Sequence, residues 1–85
     1  MENPKIIRMG YVIQEFIKKM NLIDAKPKYL MPILIEKGFF IKDNREGRPL
    51  RDILRELDEN NTLYFLPQVS ADRKDKNVYW YFNAI

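Results

Sequence analysis

Three arginines recur at helical spacing in the middle of the chain, and arginine is a side chain that recognises nucleic acids. Arg48, Arg51 and Arg55 are three and four positions apart. At about 100° per residue, they fall within about 60° of one another on one side of a helix. An arginine placed there can donate two parallel hydrogen bonds to guanine in the major groove, or it can contact a phosphate. The opposite side of this helix carries an apolar stripe made of Leu50, Ile53, Leu54 and Leu57.

The same helix carries acidic residues that allow a second interpretation of the arginines. Arg48 lies four residues before Asp52, and Arg55 lies three residues before Asp58 and four before Glu59. Opposite charges at these spacings pair on a helix surface. The arginines therefore either enter a DNA groove, where Arg51 would be able to reach a base edge, or belong to a charged face exposed to solvent or to a protein partner. Groove reading favours Arg48 and Arg51, because the start of such a helix enters the groove.

A second basic cluster lies near the C-terminus, in the polar segment "SADRKDK" (70–76). Arg73, Lys74 and Lys76 alternate there with Asp72 and Asp75. We predict a loop that joins two strands, in which these cations contact phosphates or a minor groove. The alternative is a soluble loop whose charges prevent edge-to-edge pairing.

A third basic group consists of Lys18 and Lys19, followed by Lys26 and Lys28. Lys18 and Lys19 come at the end of the first predicted helix, where cations compensate the helix dipole. We interpret this group as serving solubility and helix stability.

The chain lacks the side chains on which most catalytic and metal sites depend. It has no cysteine and no histidine, and its twelve acidic residues follow no calcium-loop spacing. Thiolate zinc sites, disulfides and serine–histidine or cysteine–histidine catalysis are therefore excluded. We predict a protein that is not an enzyme and has no cofactor or bound metal.

Length and charge indicate a single domain spanning residues 1–85. The chain is 46% hydrophobic, with a formal net charge of +3. A domain of this size buries about 60% of its unfolded surface, so most apolar residues must serve the core. The sequence shows no transmembrane stretch and no signal-peptide layout, so we expect a cytoplasmic protein without a membrane partner.

Prolines and glycine mark the helix boundaries. Asn3-Pro4 predicts the start of a helix that runs from about 4 to 20. Pro27 and Pro32 leave two alternatives for the second helix: Pro27 opens it, or it starts near Tyr29. We favour the start near Tyr29, because Pro32 then lies in the first turn, and Gly38 ends this helix. The third helix covers about 49–59.

The C-terminal region predicts an antiparallel β-hairpin. "TLYFLPQV" (62–69) and "NVYWYF" (77–82) are rich in aromatic and β-branched residues, and "SADRKDK" lies between them. Trp80 and Phe82 are expected in the core. Tyr79 and Tyr81 lie on the opposite face, where they are available to a partner. "LID" or "FFI" could supply a third short strand.

This order of elements, an α+β domain of three helices followed by a C-terminal antiparallel hairpin, resembles the winged helix-turn-helix superfamily. "PLRDILRELDE" corresponds to the third helix and "SADRKDK" to the tip of the wing. The resemblance implies a small module that binds duplex DNA, such as a transcriptional regulator. The predicted contact residues are Arg48, Arg51, Arg55, Arg73, Lys74 and Lys76. The alternative is a protein-interaction module, or a homodimer formed through the first helix with Ile6 and Met9 as its outer contacts.

Overall fold

The computed structural model describes residues 1–85 and shows three α-helices followed by a two-stranded antiparallel sheet. The helices are α1 (Asn3–Met20), α2 (Pro27–Glu36) and α3 (Arg48–Glu59), and the strands are β1 (Val69–Arg73) and β2 (Val78–Phe82). A short 3-10 helix, Leu63–Phe65, separates α3 from the sheet. The predicted class, three helices and a C-terminal hairpin, is confirmed. No helix combines the length and the apolar composition needed to cross a membrane.

α1 buries one side along its whole length. Pro4 lies in the first turn, and Asn21 ends the helix in the left-handed conformation with φ of +53°. Ile6 and Met9 are 3% and 0% exposed and belong to the core. The expectation that these two residues form the outer contacts of a dimer is therefore wrong, because a side chain packed inside the monomer is not available to a second copy.

α2 begins at Pro27, so the predicted start near Tyr29 is wrong. Proline suits the first helical position, where its missing N–H would have no partner inside the helix. Pro32 lies inside the helix and leaves the carbonyl of Lys28, four residues earlier, without its N–H partner. Pro32 is exposed to solvent. The helix nevertheless continues to Glu36, and Gly38, with φ of +85°, follows its last turn.

A single apolar core joins the three helices to the sheet. α3 contributes Leu50, Leu54 and Leu57, as its stripe predicts. The strands contribute Trp80 and Phe82. The core contains the following buried side chains: Ile6, Met9, Ile13, Ile17, Ala25, Leu30, Met31, Leu34, Leu50, Leu54, Leu57, Leu66, Trp80 and Phe82.

The first hairpin strand lies further along the chain than its aromatic composition predicts. Residues 62–68 are not strand, because Leu63–Phe65 forms a 3-10 helix that leads to the fully buried Leu66. Pro67, which has no N–H to donate to a ladder, follows in a turn. β1 instead covers Val69–Arg73, so four residues of the predicted loop are strand. The connecting loop is only residues 74–77.

A third segment extends the sheet by one residue. Ala25, which directly follows "LID", donates its N–H to the carbonyl of Phe82 at 2.9 Å and accepts the N–H of Phe82 at 2.8 Å. Helix α2 begins two residues later, which limits the pairing to a single bridge. The other suggested strand, "FFI", does not form: Phe39 and Phe40 are half-buried against the core, while Ile41 is 95% exposed.

Candidate nucleic-acid interface

A cleft of about 560 Å³ separates the start of α2, the side of α3 and the outer part of β2. Three parts of the chain that are distant in sequence supply its cations, and we call it the basic cleft. The cations that line it are Lys26, Lys28, Arg51, Arg55 and Lys76. Two carboxylates, Glu46 and Asp58, also line it. The basic cleft therefore concentrates positive charge in one concave surface of a domain that is only mildly basic.

Gly47 brings the starts of α2 and α3 together beside the basic cleft. Its φ is +88°, a conformation that glycine adopts without strain. A Cβ atom built on Gly47 would lie 2.7 Å from the backbone nitrogen of Lys28. The Gly47 N–H donates to Oδ1 of Asp43 at 2.7 Å, which fixes the turn. The positive ends of two helix dipoles therefore lie side by side, and they add to the field of the cations.

Two tyrosines line the basic cleft along β2. Tyr79 and Tyr81 alternate with the buried Trp80 and Phe82, as expected for a strand with one face in the core. Tyr79 is 48% exposed and Tyr81 is half-buried. Aromatic rings beside cations provide a surface on which nucleic-acid bases can stack.

Arg51 is held in the wall of the basic cleft. Its Nη2 donates to the carbonyl of Arg45 at 2.6 Å. Its Nε is buried and has no hydrogen-bond partner. Nη1 and the second N–H of Nη2 therefore remain as donors for a ligand. A buried N–H without a partner typically costs about 1–3 kcal/mol, and such a group in a folded protein calls for an explanation in function or strain.

Arg48 and Arg55 are more exposed than Arg51 and share one carboxylate. Arg48 Nε lies 3.8 Å from Oδ2 of Asp52, and Arg55 Nη1 lies 3.6 Å from Oδ1 of Asp52. The predicted pair between Arg48 and Asp52 is confirmed, whereas Arg55 pairs with Asp52 rather than with Asp58 or Glu59. The arginine side chains are 49% and 62% exposed. Exposed pairs of this kind contribute little, so a ligand can replace them.

Arg73 is not a free cation of the loop. It is the last residue of β1, and its Nη1 and Nη2 donate to the two carboxylate oxygens of Asp58 at 2.8 and 2.7 Å. These hydrogen bonds lower the pKa of Asp58 and raise that of Arg73. The pair neutralises one of the two carboxylates of the basic cleft, and it holds the hairpin against α3.

The loop lysines differ in their surroundings. Lys74 Nζ lies 3.3 Å from Oδ2 of Asp72, outside the basic cleft. Lys76 lines the basic cleft. Of the six predicted contact residues, the structure thus brings Arg51, Arg55 and Lys76 together, and it leaves Arg48, Arg73 and Lys74 outside the basic cleft.

The sequence predicts no site role for Lys26 and Lys28, but both line the basic cleft. The bridge between Ala25 and Phe82 places Lys26 beside β2, and the Gly47 contact places Lys28 beside α3. The ammonium of Lys28 also lies 5.3 Å from the ring centre of Tyr29, an exposed aromatic side chain. The suggested short strand at "LID" was a sequence signal for this position, because a strand there that pairs with the hairpin places the lysines that follow it beside β2.

No group of three or more aspartate, glutamate, histidine or cysteine side chains is placed to hold a metal ion. Comparisons with protein-family models, with curated proteins and with solved structures found no match to this chain. The candidate site is therefore defined by its geometry and charge alone, within an α+β domain of three helices and a hairpin.

Proposed function

We propose that this domain binds nucleic acid, in the first place duplex DNA, through the basic cleft and the exposed side of α3. The observation that carries the proposal is the convergence of five cations from α2, α3 and the hairpin loop on one concave surface. Phosphates supply most of the affinity of proteins for DNA, and they are bound by lysine and arginine. We propose a binding role, without catalysis, for a small cytoplasmic module such as a transcriptional regulator.

The arrangement of elements supports a winged helix-turn-helix relationship, which is also part of the proposal. The three helices and the hairpin follow the expected order, and the Ala25–Phe82 bridge supplies a third strand segment beside the hairpin. In such a module α3 approaches the groove while the hairpin loop contacts the backbone. Arg48 and Arg55 are exposed along α3, and Lys76 lines the basic cleft from the loop.

The charge balance of the basic cleft favours a polyanion over a neutral partner. Asp58 is already paired with Arg73, so Glu46 is the one carboxylate of the basic cleft without an ion pair. Tyr79 and Tyr81 add surfaces that can contact sugars or bases. A protein partner is the second candidate, and the exposed side chains of Ile7 and Tyr11, one turn apart on α1, favour it.

A salt titration against random-sequence duplex DNA tests the proposal. Three to five neutralised phosphates give a log–log slope of about −3 to −4.5 for the binding constant against salt concentration. Fluorescence anisotropy with a labelled duplex measures this slope. Absence of binding to any duplex at low salt, with tens of micromolar protein, would overturn the DNA proposal and leave the protein-interaction candidate.

A pair of double variants with equal net charge provides the control. Lys26→Gln with Lys28→Gln removes two cations from the basic cleft, whereas Lys18→Gln with Lys19→Gln removes two cations from the exposed end of α1. We expect the first variant to reduce the magnitude of the slope by up to about two, and the second to leave it near the wild-type value. Equal losses in both variants would show that net charge, rather than the basic cleft, governs binding.

A further inference from the structure

We infer that Arg51 binds a backbone phosphate in the basic cleft and does not read a base edge. The base contacts of α3 are then made by its exposed arginines, Arg48 and Arg55. This inference rests on the proposed function and assigns one ligand chemistry, a phosphodiester oxyanion, to one side chain. It replaces the expectation that Arg51, as a residue near the start of α3, reaches into a groove.

The hydrogen bond to the Arg45 carbonyl limits how far Arg51 can reach. Its Nη2 is held 2.6 Å from that oxygen, and its Nε is buried. Reading guanine takes two guanidinium nitrogens in a parallel pair of hydrogen bonds. Nη1 and the second N–H of Nη2 can donate to an oxyanion that enters the basic cleft, whereas reaching out to a base edge would break the hydrogen bond to the Arg45 carbonyl.

The neighbours of Arg51 fit a phosphate better than a base. Lys26, Lys28 and Lys76 line the same cleft. A lysine ammonium is a compact charge that binds an oxyanion from any direction, whereas planar bidentate recognition is the property of arginine. A phosphate can accept hydrogen bonds from several of these donors at once. The starts of α2 and α3, which meet at Gly47, add to the positive potential.

Arg48 provides the contrast within the same helix. It lies outside the basic cleft, its side chain is 49% exposed, and its one ionic contact is the 3.8 Å pair with Asp52. Nothing fixes its guanidinium to the backbone, so apart from the exposed pair between Nε and Asp52 its donors are available. Arg48, together with Arg55, is therefore the residue that can supply a two-nitrogen contact to a base.

An NMR titration of the wild-type protein with inorganic phosphate tests the oxyanion site without DNA. The Nε–Hε signal of Arg51 is expected to shift saturably with phosphate, while sodium chloride at matched ionic strength leaves it in place. The corresponding signal of Arg48 is expected to shift less. Identical responses of Arg51 to phosphate and to chloride would overturn the inference, whatever the protein does with DNA.

Duplex binding by Arg51 variants then shows whether the phosphate belongs to nucleic acid. Arg51→Gln is expected to weaken a preferred site and random duplexes by the same factor and to reduce the magnitude of the salt slope by about one. Arg51→Lys keeps the charge and is expected to retain the slope. Arg48→Gln is expected to lower the ratio between preferred and random affinity.

A wrong role for Arg51 and a wrong proposed function give different experimental results. If Arg51→Gln lowers the preference ratio and leaves the slope unchanged, Arg51 reads a base and the inference is wrong, while the proposed function stands. If phosphate shifts Arg51 but no duplex does so, the site takes a small phosphorylated ligand, and the assignment to a nucleic-acid backbone is overturned. Circular dichroism of each variant verifies that its fold is intact, and the wild-type titration stands if a variant is unfolded.

Discussion

The backbone conformation of Gly47 affects the geometry of the candidate site. Its positive φ begins α3, and its lack of a side chain lets the backbone of Lys28 approach. Any other residue would push the starts of α2 and α3 apart. That displacement would move Lys28 away from Arg51, so one backbone position controls the spacing of the cations in the basic cleft.

Replacing Gly47 tests this role, and Gly38 offers a matched control. Both glycines have φ between +85° and +88°, but a Cβ on Gly38 has no atom within 4 Å, whereas one on Gly47 meets the Lys28 backbone. Gly38→Ala is expected to cost about 1–2 kcal/mol from the left-handed conformation alone. Gly47→Ala is expected to cost more, since backbone must also shift. Urea unfolding measures both, and equal losses would show that the close approach is absent in solution.

At the scale of elements, α3 serves the core and the candidate interface at once. Its leucine side buries Leu50, Leu54 and Leu57, while Arg51 and Arg55 line the basic cleft. The buried leucines hold α3 in place, and this packing in turn fixes the positions of Arg51 and Arg55. Loss of core packing would therefore disturb the candidate site indirectly.

The loss of unfolding free energy in Leu54→Ala measures how much the packing of α3 stabilises the fold. Leu54 is 0% exposed, so its truncation leaves a cavity, and the expected loss is about 2–5 kcal/mol of unfolding free energy. The neighbouring Ile53 is only half-buried, and Ile53→Ala is expected to cost less. Denaturant unfolding of both variants makes the comparison. A loss under about 0.5 kcal/mol for Leu54→Ala would contradict the assignment of the α3 stripe to the core.

The Asp58–Arg73 pair connects the hairpin to α3 across one wall of the basic cleft, so it contributes to the tertiary arrangement of the domain. Both oxygens of Asp58 accept from the guanidinium, at 2.7 and 2.8 Å. The residues are 15 positions apart, so the pair is a tertiary contact. Arg73, which the sequence predicted as a phosphate contact, therefore already has a carboxylate partner within the protein.

The pair predicts a specific acid dependence of stability. Because the hydrogen bonds from Arg73 lower the pKa of Asp58, the pair stabilises the fold above the ordinary aspartate range and loses its effect as pH falls through the lowered pKa. The difference in unfolding free energy between wild type and Asp58→Asn is therefore expected to be constant from about pH 7 to pH 5 and to shrink below about pH 4.

A double-mutant cycle attributes that acid dependence to the pair. Asp58→Asn, Arg73→Gln and the double variant are unfolded in urea at neutral and acidic pH. The coupling energy is expected to be present at neutral pH and to decrease in acid. A coupling that is equal at both pH values, or absent at both, would show that the pair does not form in solution.

Local sequence patterns determined much of this fold. The Leu50–Leu57 stripe predicted α3, and Asn3-Pro4 predicted α1, because helical spacing and capping are properties of neighbouring residues. The alternation around Trp80 predicted β2 in the same way. Where local signals competed, the prediction failed: two prolines allowed two starts for α2, and the aromatic segment 62–69 has strand composition but packs Leu66 through a 3-10 turn.

Composition and periodicity predict the three helices and the hairpin and exclude thiol and imidazole chemistry, because these features depend on residue type and on near neighbours in the chain. Which cations share a surface depends instead on how the elements pack against one another. Lys26 and Lys76 are 50 positions apart and line one cleft, whereas Arg73 forms an ion pair with Asp58 and does not line the cleft. The electrostatic potential in the cleft is the sum of contributions from nearby charges, and the distances between those charges are set by the core packing and by the close approach at Gly47.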